Sequence, residues 1–193
     1  MHESHYLIPA QLSGKEKNLA YSIYTDTVED AEDWFVDAKE RLLDINNWKK
    51  YGGSAGVDFK LTDGHGKVLN RKAHNGDHVR ITITPGATTF DWVVIEALEY
   101  DDYPDLDMET FAMRIRPGNG PVTKYDNNRI HDATSTIVIE RKGKKLGASY
   151  HGRNEALNGD SDMVSEQENT IENASWLGLS DTEWADLVKG LID

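Results

Sequence analysis

Seven histidines and 34 carboxylate side chains lead the groups that could do chemistry in this chain, which contains no cysteine. The missing thiol removes cysteine nucleophiles, disulfides and cysteine-ligated zinc together. Among His2, His5, His65, His74, His78, His131 and His151, the pair His74 and His78 flanks the Asn75-Gly76 turn, and His65 sits on the turn before it. A meander can bring such tips together, so His65, His74 and His78 with Asp77 form a conceivable zinc-type set. Their spacing is not diagnostic, and solvated turn histidines account for them more simply. The stretch from Asp101 to Glu109 offers five carboxylates, a composition that hard cations favour. It does not fit the calcium loop D-x-[DN]-x-[DN]-G: Tyr103 holds the third position, Leu106 the sixth, and Pro104 intrudes. Asp160 and Asp162 make a weaker pair. Glycine-rich phosphate cradles are absent, as are the G-x-S-x-G elbow and H-E-x-x-H. The expectation is no bound metal and no cofactor.

An acid or base at work here would need a pKa shifted by its surroundings. His151 and Glu96, both in segments that read as strands, are the catalytic candidates. The ligand-binding candidates are Arg80, Arg114 and Arg116 with Trp92 and Trp184. Arg114 and Arg116 alternate on one strand and share a face, and Arg80 lies on the polar face of another. Turned inward, such guanidinium groups can hold a carboxylate or phosphate bidentately; turned to water, they balance acidic surface. The large aromatics, among them Trp34, Phe35, Trp48, Phe59, Phe111 and Trp176, read first as core.

The elements that must position these residues come from a chain of 193 residues with a net charge of −13 and a pI near 4.9. That length suits one domain over residues 1–193. So acidic a chain is a poor ligand for nucleic acid, whose binding needs cations to replace counterions. It is equally poor at adsorbing to anionic membranes. No secretory leader or apolar run of spanning length is legible, and the cytoplasm is the compartment expected. Charge is uneven: no lysine or arginine falls between Arg153 and Lys189, while Glu155, Asp160, Glu166, Glu172 and Glu183 do. The bland account of that pattern is solvated surface; docking to a partner is the other.

Residues 1–18 read as an N-terminal extension, 19–152 as strand, helix and antiparallel sheet, and 153–193 as an acidic C-terminal helical segment. Leu19 to Tyr24 alternates as a short strand. Thr27 with Asp30 is a variant capping box, after which Ala31, Trp34, Phe35, Ala38, Leu42, Ile45 and Trp48 recur at helical spacing. They predict one helix of about six turns ending at Gly52-Gly53, with Trp34, Phe35, Ala38, Leu42 and Ile45 buried. Strands are expected over 57–62, 67–73, 78–83, 90–100, 110–116, 134–141 and 145–152, joined by turns short enough for antiparallel neighbours. A weak helix over about 163–176 and a break at Gly178 precede a second helix. That helix starts from the capping box Ser180/Glu183 and carries Trp184, Leu187, Val188, Leu191 and Ile192 on one face.

The sum is α+β: a curved antiparallel sheet of about six or seven strands against a long N-terminal helix and a C-terminal helical segment. This order, together with Leu43-Asp44-Ile45 and Trp48 near the end of the first helix, resembles the START and Bet v 1-like helix-grip superfamily. The resemblance implies a curved sheet wrapped round a C-terminal helix, enclosing a cavity for an apolar ligand. The break at Gly178 departs from the superfamily's single closing helix, and no shared catalytic motif exists to carry over. Three readings of function follow. The first is a non-enzymatic module holding a small apolar or amphipathic ligand. The second is an interaction protein with a filled core, working through its acidic surface. The third is a cyclase, hydrolase or dehydratase acting in the same cavity.

Overall fold

The computed structural model describes residues 7–52, 57–82, 91–118, 120, 133–155 and 179–193. Strand β1 (Lys15–Tyr24) leads into helix α1 (Val28–Leu43), a 3-10 turn (Ile45–Asn47) and a short helix α2 (Trp48–Gly52). Strands β2 (Asp58–Thr62), β3 (His78–Thr82), β4 (Asp91–Tyr103), β5 (Met108–Pro117), β6 (Thr134–Lys142) and β7 (Lys145–Glu155) follow, and helix α3 (Asp181–Ile192) closes the chain. The seven strands form one sheet ordered β1-β7-β6-β5-β4-β3-β2, every neighbouring pair antiparallel. The α+β class and the order of strand, long helix, antiparallel strands and closing helix are those expected from the sequence. Expectations about His2, His5, His131, Asp160, Asp162, Trp176, the 163–176 helix and the break at Gly178 lie outside the described residues.

Three local expectations are corrected. The six-turn helix breaks at Asp44, whose ψ of 63° leaves the helical region. The four carbonyls orphaned at the end of α1 all find donors. Lys72 Nζ serves Glu40 O at 2.9 Å, and the Asp44 amide serves Arg41 O at 3.1 Å. Trp48 Nε1 serves Leu42 O at 3.0 Å, and the Ala73 amide serves Leu43 O at 2.9 Å. The break is thus fully compensated, and it lets the chain turn so that Trp48 packs edge-on against Phe59, centroids 5.3 Å apart.

The strand expected over 67–73 is reduced to a single bridge from Val68 to Thr62. The Asn46 side chain takes over the ladder there, accepting from the Leu61 amide at 2.9 Å and donating to Leu69 O at 2.8 Å. The third correction is Trp34, which is 37% exposed while Phe35 is 1%. At about 100° per residue the stripe Ala31, Phe35, Ala38, Leu42 faces the sheet, and Trp34 falls on its flank. Strand β1 also begins at Lys15, four residues inside the expected extension, pairing Lys15 with Glu155.

Alternation divides the sheet into two faces. Phe59, Val79, Ile95, Met113, Ile137 and Tyr150 belong to the inner one, each 4% exposed or less. Helix α3 packs Trp184, Leu187, Val188, Leu191 and Ile192 into the same core. The Trp184 ring stacks on Tyr150 at 4.3 Å and 24°. Its capping box is complete, with Ser180 Oγ accepting from the Glu183 amide and Glu183 Oε2 accepting from the Ser180 amide. Helices α2 and α3 cross so closely that a Cβ at Gly190 would lie 1.8 Å from Tyr51 O. Only glycine permits that approach.

Candidate functional site

Because Phe111, Met113 and Ile115 of β5 point inward, Arg114 and Arg116 point outward. Glu96 reaches both from β4, where a bulge between Ile95 and Ala97 adds one residue to the strand. Its carboxylate accepts from Arg114 Nε at 2.7 Å and from Arg116 Nη2, and Arg114 Nη1 also donates to Leu7 O at 3.3 Å. Both Glu96 oxygens are thus engaged by guanidinium groups. Arg80 and Trp92 are direct cross-strand neighbours on β3 and β4, on this same outer face. Four of the five ligand-binding candidates are therefore brought together, but on the outside of the sheet. The fifth, Trp184, is fully buried in the core.

His151 also lies on the outer face, paired across the ladder with Asn18 of β1. Its Nδ1 lies 2.8 Å from Asn18 Oδ1 and its Nε2 2.9 Å from Ser149 Oγ. Beside this trio runs an open groove of about 300 Å³ lined by Ala20, Ser22, Val138, Gly147 and Ser149. Sequence reasoning named His151 but missed Ser149, which the period of two places on the same face. Asn18 had no local signal, because only the β1–β7 register delivers it.

The inner face carries a buried polar group that the sequence did not announce. Tyr150 Oη lies 2.8 Å from Ser135 Oγ and donates to Glu155 Oε1 at 3.0 Å. Lys17 Nζ stands 4.0 Å from Glu155 Oε2 and pairs with Asp181 in the first turn of α3. Burial pushes the Glu155 carboxyl up, with Lys17 and the Tyr150 hydroxyl pulling the other way. Burial likewise raises the Tyr150 hydroxyl well above its ordinary range, reinforced by Glu155. Chemically this arrangement tethers β1, β6 and β7 to the start of α3.

The acidic metal-ligand candidates Asp77, Asp107 and Glu109 have other occupations. Burial would raise the Asp77 carboxyl, but the Arg71 fork at 2.6 and 2.9 Å and the His74 amide at 2.8 Å hold it below its usual range. In the acidic β4–β5 hairpin, the 3%-exposed Arg141 gathers carboxylates: Asp107 at 2.7 Å, Glu109 at 3.5 Å and Glu32 of α1 at 3.9 Å. Among the described residues no three histidine, aspartate or glutamate side chains converge as a metal site.

Two further spaces lie among the described residues. An open cleft of about 570 Å³ lies where α2 meets the end of α3, between Lys50, Tyr51, Asp186 and Lys189. Arg41 closes one side of it, its Nη1 donating to Gly190 O, Leu191 O and Asp193 O at 3.3, 3.4 and 2.6 Å. Inside, the void walled by Trp48, Phe59, Leu179 and Trp184 measures only about 10 Å³. Among the described residues no helix is long and apolar enough to cross a membrane.

No family model and no curated protein matches the chain. Solved structures do show likeness. Norcoclaurine synthase from Thalictrum flavum is 11% identical, with 92% of this chain and 87% of that one covered at a TM-score of 0.39. Major latex-like protein 151 from Panax ginseng is also 11% identical, covering 92% and 93% at 0.39. Ara h 8.0201, at 11%, covers 79% and 85% at 0.31.

Proposed function

We propose that the protein is an interaction module, a helix-grip frame whose interior is occupied by its own side chains and whose acidic outside meets a partner. The observation that supports this is the packing between the sheet and α3. Tyr150 and Trp184 stack face to face there, Met113, Ile115 and Ile137 are at most 1% exposed, and the void beside them would hold about one water. Small-molecule sites typically need roughly 300 Å³ or more. The catalytic and cationic candidates of the sequence, moreover, stand on the opposite face of the sheet from that interior.

A small apolar ligand between sheet and α3 is the second reading. It is favoured by the aromatic lining of the small void, Trp48, Phe59 and Trp184, which would have to part to admit a guest. One experiment separates the two. Native mass spectrometry of the purified chain is expected to give the bare protein mass under gentle ionisation. A lipid-like adduct lost on denaturation would overturn the filled-interior reading and establish the second.

A further inference from the structure

We propose that Ser149, His151 and Asn18 form a nucleophilic relay on the outer face of the sheet, able to take an acyl group from a small, unbranched ester seated in the adjoining groove. The order of hydrogen bonds has a direction, fixed from its far end. Asn18 Nδ2 donates to Glu16 Oε1 at 3.2 Å, and Glu16 is itself anchored by Arg153 Nη2 at 3.3 Å. With its amide nitrogen committed to a carboxylate, Asn18 turns its oxygen to the histidine. That oxygen can only accept, so it selects the imidazole tautomer protonated on Nδ1. The lone pair is then on Nε2, 2.9 Å from Ser149 Oγ, where it accepts the hydroxyl proton. Nucleophile, base and orienting group stand in hydrogen-bond series, the geometry by which a serine is activated on unrelated folds.

The strands hold this series without help from loops. Ser149 and His151 are two apart on β7 and share its outer face, and Asn18 is the direct cross-strand partner of His151. The open groove beside Ser149 is floored by Ala20, Ser22, Gly147 and Val138 and edged by Glu140 and Lys145, room enough to seat a small acyl group such as acetyl or propionyl. In the step, Ser149 Oγ attacks the ester carbonyl carbon as its proton passes to His151 Nε2. The bond from that carbon to the leaving oxygen breaks, and His151 returns the proton to the departing alcohol. Water then cleaves the acyl-serine by the same route. Because β7 is paired on both edges, its amides are committed to the ladders and offer little to a developing oxyanion. Acylation and deacylation are both slow for that reason. An activated ester, whose leaving group departs readily, should acylate faster than water deacylates, giving a burst with slow turnover.

The test uses the full chain with p-nitrophenyl acetate, following nitrophenolate release and the intact mass, then mapping the acetyl group by peptide mass spectrometry. The expected result is a burst of about one equivalent with acetyl on Ser149. His151→Ala should slow that burst about a hundredfold, the usual contribution of a general base. Asn18 acts through the imidazole, so Asn18→Ala should slow it less, and Asn18→Asp, which keeps an acceptor opposite Nδ1, should restore it. Acetyl found only on lysines, or labelling of Ser149 that His151→Ala leaves unchanged, would overturn the proposal. The wild-type mapping decides even where a variant fails to fold.

Discussion

Replacing Gly190 by alanine pits helix propensity against close packing, and the structure says packing wins. In isolation the change favours α3 by about 1 kcal/mol, the ordinary gain of alanine over glycine in a helix interior. A Cβ at this position, however, would stand 1.8 Å from Tyr51 O and 2.6 Å from Tyr51 C. Ordinary contact begins at 3.4 Å, so α2 and α3 must part by about 1.6 Å, and both opposing atoms are backbone that no rotamer can move. Parting unseats Leu187 and Trp184 from the core and pulls the end of α3 from Arg41, which grips three of its carbonyls. Overpacking of this kind costs about 1–3 kcal/mol, with lost burial of the α3 stripe added to it. A net loss of about 2 kcal/mol should lower Tm by roughly 4–8 °C in a chain of this length. Gly52→Ala is the control at the same crossing: its Cβ would meet Leu187 at 3.4–3.5 Å and should change Tm little. Thermal unfolding followed by circular dichroism checks both. An unchanged or raised Tm for Gly190→Ala would refute the close approach of α2 and α3.

Three further outcomes follow from the same structure. Trp184→Ala should cost about 3–5 kcal/mol as a fully buried aromatic, whereas Trp34→Ala, on the helix flank, should cost less than about 1 kcal/mol; urea unfolding compares them, and equal costs would contradict the orientation of α1. Asp77→Asn breaks the Arg71 fork and should destabilise by about 1–3 kcal/mol at neutral pH. Because the Asp77 carboxyl is held low in the fold, its contribution is present above its unfolded pKa and is lost as pH falls through the folded value, so the Tm gap to wild type should close in acid. Glu155 has the opposite sign: its carboxyl is raised by burial, so its contribution is fully present below the unfolded pKa and is lost as pH rises through the folded one. Tm measured for Glu155→Gln should match wild type in acid and equal or exceed it at neutral pH, and a neutral-pH loss absent in acid would show Glu155 working as an ion pair with Lys17.

What could be read from the residues, and what could not, divides along sequence separation. The Ala31, Phe35, Ala38, Leu42 stripe of α1, the apolar stripe of α3, the Thr27 cap and the Ser180/Glu183 capping box are local patterns, three and four residues apart, and they recur in the structure. The break at Asp44 was invisible because its compensation comes from Lys72 and Ala73, residues about thirty positions away that close the orphan carbonyls. The same distance hid the fate of 67–73: a helix-proximal asparagine, Asn46, supplies the ladder contacts that a strand would have made. For the outer-face residues the information was half present. Alternation of Phe111, Met113 and Ile115 already determines that Arg114 and Arg116 turn away from the core, so their role as inward ligand clamps was excluded by the pattern that placed them on one face. That Glu96 answers them required a bulge, one extra residue in β4 that no propensity marks. The relay around His151 shows the limit most plainly. Ser149 follows from the period of two, but Asn18 arrives through a register set between the first and last strands, the pairing with the longest loop to close and so the one least constrained by local sequence. A site assembled across that pairing depends on the β1–β7 register as much as on its own side chains. A one-residue slip of β1 would turn Asn18 to the inner face and leave His151 Nδ1 without its acceptor. The pairing runs without a shift from Lys17–Gly152 to Tyr24–Lys145, and Lys17, paired with Asp181, ties that stretch of β1 to the start of α3.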